Sequence, residues 1–196
     1  MGAGSIASYI ALALAKAGVP DITVYDHDVV ESHNVPMSTY RESDIGRLKV
    51  DALAERINYE TGISIRTHAT KYRDQPIGRG SLIVSIDTME DDGCGRIPIW
   101  QKVKDSLSID IMIDTRIDRW LGEIYTIVPT HASDQKNYEQ TLHPDTEMAQ
   151  QVCGFHGITT MSMAVAGNAV NCLFRYWNDG THDWRLAHRY DKLSAA

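Results

Sequence analysis

The chain has 196 residues, 43% hydrophobic and 23% charged, with a formal net charge of −7. That is an ordinary globular composition, able to bury a core without staples; the acidic balance and the lack of a Lys/Arg-rich run argue against a nucleic-acid partner. No apolar run reaches the roughly 18 residues of a membrane span, no signal segment is visible, and three scattered cysteines without a C-x-x-C pair argue against a disulfide framework or a structural zinc, so a single cytoplasmic domain over residues 1–196 is expected.

Residues 2–8 read G-A-G-S-I-A-S and residues 22–28 read I-T-V-Y-D-H-D. A glycine turn that opens a helix, followed about twenty residues later by a strand ending in acid, is a dinucleotide-type fingerprint. Gly2 permits the turn, Gly4 lets the backbone approach a phosphate, and Ala7 takes the small third position. Phosphate oxygens would meet free N–H groups at the helix N-terminus, and Asp26 sits where a carboxylate takes ribose hydroxyls. Only Met1 precedes the turn, so the strand that should feed it is expected to be missing.

A largely apolar helix is expected over 5–18, stopped by Gly18 and followed by Pro20. Strand 21–26 follows, then a polar loop. Asp44 is expected to cap a helix from Ile45 or Gly46 to about Tyr59, with Leu48, Val50, Leu53, Ala54 and Ile57 at helical spacing. Residues 62–68 alternate as a strand, 69–80 read as a loop, and 81–86 form an apolar run typical of a buried parallel strand, with Asp87 at its end. A helix is expected around 96–106 and strands at 108–114 and 120–128, the short link between those two implying antiparallel neighbours.

Residues 129–152 are polar and without periodicity and read as a long flexible crossover-type loop. Residues 156–177 read as an apolar, small-residue-rich helix for the core or a homodimer interface, and 182–193 as an edge strand. Met161, Met163 and Cys172 read as core, while His131, His143 and His156 fit no metal template by spacing and read as loop groups. The alternation gives an α/β fold: a Rossmann-like, mostly parallel sheet flanked by helices, with an antiparallel extension.

Further runs narrow this pattern: Y-D-H-D-V-V-E-S-H-N-V, D-I-G-R-L-K-V-D-A-L, S-I-D-T-M and V-C-G-F-H-G-I-T-T-M-S-M-A-V-A-G-N. With the glycine turn, and in this order, they resemble the adenylating domain of the E1-like superfamily, which holds ThiF, MoeB and the ubiquitin-activating enzymes. The Y-E-Q-T-L segment is similar to bacterial and phage ThiF-type proteins. The resemblance implies ATP with Mg2+ as cofactors. Gly2 and Gly4 would face the phosphates, Asp26 the ribose with Asp28 close behind, Asn34 would order the nucleotide, and Lys49 would reach the phosphates. Asp87 would bind magnesium, and Cys153 would match a cysteine that in some members bonds to the activated carrier. The implied activity is adenylation of the C-terminal glycine of a ubiquitin-like or ThiS/MoaD-like carrier by a homodimer, with transfer to a cysteine as a later step.

One departure opens a second reading. Met37 stands where the family usually carries an arginine, with Arg41 and Arg47 nearby at a different spacing, and the family's zinc cysteines are absent. A degenerate E1-like subunit that binds without catalysis fits that departure. An NAD-dependent oxidoreductase, read from the glycine turn and Asp26 alone, leaves Lys49 and Asp87 unexplained.

Overall fold

The computed structural model describes residues 2–72, 79–86, 95–117, 121–143 and 158–189. The expectations at Asp87, Cys153 and His156 lie outside them.

Helix α1 (Ser5–Lys16) leads from the glycine turn. Strand β1 (Thr23–Tyr25) pairs in parallel with β2 (Arg66–His68), and helix α2 (Lys49–Thr61) connects them. Strand β3 (Gly80–Val84) precedes helix α3 (Arg96–Val103), strand β4 (Ile109–Ile117) and strand β5 (Leu121–Ile127). Helix α4 (Ala132–Glu139), the 22-residue helix α5 (Ile158–Asp179) and strand β6 (Arg185–Arg189) complete the order. The larger sheet runs β3-β4-β5-β6. Its β3·β4 ladder is parallel and the next two are antiparallel, which is the expected extension, with β6 as its edge. This α/β arrangement is the one anticipated.

The sheet is covered on both faces because β4 alternates. Ile111 and Ile113 join a core with Ile6, Ile10 and Leu14 of α1, Leu53 and Ile57 of α2, and Val165, Ala169 and Leu173 of α5. Met112 joins the opposite cluster with Trp100 of α3, Ile127 of β5 and Tyr138 of α4. Val165 and Met161 of α5 press so closely on β5 that a Cβ on Gly122 would overlap Val165 and stand 2.7 Å from the Met161 sulfur. Among the described residues, no helix is long and apolar enough to cross a membrane.

Three local expectations are corrected. Helix α2 begins at Lys49 rather than at residue 45 or 46. Gly46 has φ of +86°, and residues around it pair with a distant segment instead. Val30 N–H donates to Arg47 O, Gly46 N–H donates to Val30 O, and Val29 bridges Leu48. Asp44 therefore closes its own 3-10 turn, accepting the Arg41 N–H at 2.9 Å, and caps no α-helix. Within the stretch read as loop, Ala132–Glu139 are helical although only Asp134 and Tyr138 are buried. Met163 is 51% exposed, whereas Met161 is in the core.

Candidate functional site

The glycine turn, the end of β1 and the start of α2 meet at the C-terminal end of the parallel strands. Alpha/beta sheets bind ligands there, because loops diverge and helix N-termini converge. Asp26 follows β1, held in line by its N–H to His68 O at 3.1 Å. Its carboxylate clasps two loops: Ala3 N–H donates to Oδ2 at 2.8 Å, and Asp28 N–H donates to Oδ1 at 2.9 Å. Each oxygen keeps a further lone pair for a ligand hydroxyl.

Gly2 is required by close approach. A Cβ there would stand 2.9 Å from the Ser85 carbonyl oxygen, just past β3. Gly4 is the N-cap of α1, and among the described residues no side chain caps that helix end. A Cβ on Gly4 would meet none of the described residues within 4 Å. The first-turn N–H groups of α1 therefore have no side-chain cap among the described residues, with the positive end of the helix dipole behind them.

Lys49 is the first residue of α2. Its Nζ lies 2.8 Å from Asp28 Oδ2 and its N–H donates to Asp28 O at 2.9 Å. Its side chain is only 12% exposed. Burial alone would push the Asp28 carboxyl up, but the Lys49 hydrogen bond and charge, with His27 and Lys71 behind, leave it below the usual carboxylate value. The structure therefore links Ala3 of the glycine turn, Asp26, Asp28 and Lys49 into one chain of hydrogen bonds beside Gly2 and Gly4.

Asn34 is employed locally. Its Oδ1 accepts the Glu31 N–H at 2.9 Å in the capping box of the 3-10 turn Ser32–Met37. That turn is tied to the start of α5 by Thr159, whose hydroxyl donates to Pro36 O at 2.6 Å. Of the arginines near Met37, Arg47 pairs with Asp44 and Glu55, and Arg41 is exposed, 5.8 Å from the Tyr59 ring centroid. Burial raises the Cys172 thiol pKa, which suits its half-buried place on α5 and not a nucleophile.

Two structural supports were missed from the sequence. Tyr40 is 5% exposed. Its hydroxyl donates to Ala3 O at 2.6 Å and lies 3.2 Å from Lys49 O, joining the glycine turn to α2. Burial raises its phenol pKa far above the usual range, with Asp26 and Asp44 adding to the effect. The T-Y-R-E run carries no signal for this, because the partner carbonyls are set by folding.

The second is Asp114, which is paired in register with Val84 at the end of β3 and fully buried. It accepts from Arg96 Nε at 2.9 Å, Arg116 Nε at 2.8 Å and the Tyr138 hydroxyl at 3.1 Å. One carboxylate thus pins α3, β4 and α4 together next to the β3 terminus.

The ThiF family model matches residues 1–179. No curated protein matches the chain by sequence. Among solved structures, E. coli MccB with ATP is similar at a TM-score of 0.73 and 14% identity, over 98% of this chain and 60% of that one. The microcin C7 biosynthetic enzyme MccB with N-formylated MccA gives 0.72 and 15%, over 98% of this chain and 61% of that one. PaaA gives 0.68 and 16%, over 97% and 68%. The chain thus spans about 60% of the length of the MccB structures it matches, and at these identities the likeness establishes the fold.

Proposed function

The chain belongs to the ThiF family, and from that premise we propose that it adenylates the C-terminal carboxylate of a small protein or peptide, using ATP. The observation that carries this reading is the meeting of the glycine turn, Asp26 and Lys49 beside an uncapped helix N-terminus. MccB has been seen with ATP and in complex with N-formylated MccA, which supports the nucleotide and a second, polypeptide partner for this reading.

The residues fit the nucleotide. The α1 N–H groups and the open side of Gly4 suit phosphate oxygens. Asp26, already fixed by Ala3 and Asp28, has lone pairs left for ribose hydroxyls. Lys49 exchanges Asp28 for a phosphate oxygen. A carboxylate oxygen of the substrate attacks the α-phosphorus, the bond to the bridging oxygen breaks, and pyrophosphate leaves. Negative charge grows on the phosphate oxygens, and a fixed ammonium with helix N–H donors stabilises it without reorganising. By its resemblance Asp87 would hold Mg2+, whose preference for oxygen ligands one carboxylate plus phosphates meets; the ion would add charge neutralisation. Asn34 orders the loop beside the nucleotide. In a later step the Cys153 thiolate attacks the acyl carbonyl and AMP leaves.

A ubiquitin-like or ThiS/MoaD-like carrier ending in glycine is the proposed substrate and a homodimer the proposed assembly, the latter tested by light scattering. The test of the activity is ATP–pyrophosphate exchange with a small protein encoded beside this one. Exchange that requires the carrier and disappears in Lys49→Ala supports it; none with any adjacent carrier refutes it.

A second reading has its own observation. Met37 stands where the family usually carries an arginine, and nearby Arg47 is paired with Asp44 and Glu55. A degenerate subunit would bind the carrier and not Mg-ATP, which calorimetry distinguishes.

A further inference from the structure

Away from the glycine turn, three side chains converge that the sequence separates. His131 is the N-cap of α4, Asp134 lies in the first turn of that helix, and His182 lies between α5 and β6. Spacing along the chain hid this group, since His182 and Asp134 are 48 residues apart. His182 Nε2 is 2.7 Å from Asp134 Oδ2, and His131 Nδ1 is 3.8 Å from the same oxygen. One ligand atom from each of the three lies within 4.8 Å of the others. The Asp134 and His182 side chains are 8% and 12% exposed, while His131 is half exposed. An open cavity of about 550 Å³, to which Asn137, Asp183 and Arg185 also contribute, adjoins them.

We infer that His131, Asp134 and His182 form a binding site for a divalent transition-metal ion, with zinc the best match. Two imidazole nitrogens and one carboxylate oxygen are a donor set that zinc takes when it keeps a position open. Magnesium and calcium ask for oxygens throughout. Zinc–ligand bonds of about 2.0–2.1 Å set ligand atoms about 3.4 Å apart in a tetrahedron. The 2.7 and 3.8 Å separations bracket that value. The ion needs only a small outward shift of His182 and an inward rotation of the half-exposed His131.

The carboxylate is already oriented for this. Val128 N–H donates to Asp134 Oδ2 at 3.0 Å, the kind of supporting bond that fixes a metal-ligating carboxylate. On binding, the ion replaces the proton shared by His182 and Asp134, and the fourth position, facing the cavity, takes water. The result is a clip between the start of α4 and the α5–β6 turn, so metal stabilises the edge of the larger sheet. The site shares no residue with the glycine-turn site and does not rest on the adenylation reading.

The experiment uses the untagged full chain after chelator treatment. Zinc content is followed by equilibrium dialysis, Co2+ by its visible absorption, and thermal stability with and without zinc. The chain has 8 histidines, so comparison with variants decides, not binding alone. The expected result is one ion per chain, a tetrahedral Co2+ spectrum, and a rise in Tm on adding zinc. His131→Ala, at a half-exposed position, should leave the metal-free Tm unchanged, weaken zinc at least tenfold and remove most of the Tm rise. His182→Gln should abolish the Co2+ spectrum. Equal zinc affinity in the His131→Ala and unaltered chains would overturn the site. So would no binding at about 100 μM zinc, where a micromolar site would be filled; the His182–Asp134 contact would then be a hydrogen bond alone.

Discussion

Lys49 is joined to Asp28 twice, by its ammonium at 2.8 Å from the carboxylate and by its backbone N–H at 2.9 Å from the carbonyl. The backbone bond fixes where α2 starts, so the side chain can change partner without moving the helix. Lys49→Ala should therefore lower carrier-dependent ATP–pyrophosphate exchange by about 100- to 1000-fold, the usual cost of losing one preorganised charge donor. Stability should fall by less than about 1 kcal/mol, as for a partly exposed ion pair. Exchange kinetics and thermal melts on the same preparation check both halves.

The same pair has a pH signature. The folded-state pKa of Asp28 is lowered, so its contribution to stability is present above the unfolded value of 3.8 and is lost as pH falls through the depressed folded value. Asp28 is about half exposed, so the contribution is small. Tm measured against pH should show Asp28→Asn below the unaltered chain at neutral pH and the two curves meeting in acid. Parallel curves down to the acid limit would contradict the pairing.

What the sequence disclosed was local. The glycine turn, the acid after β1 and the continuous apolar, small-residue runs of α1 and α5 each sit within a short window, and each was legible. The start of α2 was not, because residues 45–48 take their conformation from Val29 and Val30 rather than from their own pattern. Helix α4 was hidden because it buries only Asp134 and Tyr138, leaving no apolar stripe to read. Tyr40 and Asp114 were invisible for a related reason. Their importance lies in partners 37 and 18 residues away, at Ala3 and Arg96, and composition does not record such pairings.

Tyr40 gives a prediction that separates its hydroxyl from its ring. Tyr40→Phe keeps the buried ring and removes the donor to Ala3 O. Leaving that carbonyl unsatisfied should cost about 1–3 kcal/mol, or roughly 2–10 °C in Tm for a chain of this size. Because the phenol pKa is raised far above the usual range, the loss should be the same across neutral and mildly alkaline pH. The KM for ATP should rise more than kcat falls, since the turn is loosened and no reacting group is removed.

Asp114 should be more sensitive. Its carboxylate is the shared counter-charge of Arg96, which is 3% exposed, and of Arg116. Asp114→Asn leaves two largely buried guanidinium groups without an anion, and breaking one side of such a group costs about 3–5 kcal/mol. Chemical denaturation should show a matching drop in midpoint with unchanged m. Replacing Thr141 with Val should do less, because it removes a hydroxyl that accepts from Arg116 and donates to Tyr138 O and leaves the charges paired.

Gly122 tests the packing of α5 on the sheet. It sits on β5, paired with Ile117 of β4 and His188 of β6, so its backbone is held from both sides. An alanine methyl there would run into Val165 and stand 2.7 Å from the Met161 sulfur. Met161 is unbranched and can yield, but the β-branched Val165 on a helix has essentially one rotamer, so the helix itself must lift. Overpacking of this kind costs about 1–3 kcal/mol. Gly122→Ala should therefore lower Tm, and adding Val165→Ala should recover much of the loss because it empties the space the new methyl needs. A double variant no more stable than Gly122→Ala alone would show that the strain lies in the β5 backbone and not at the α5 contact.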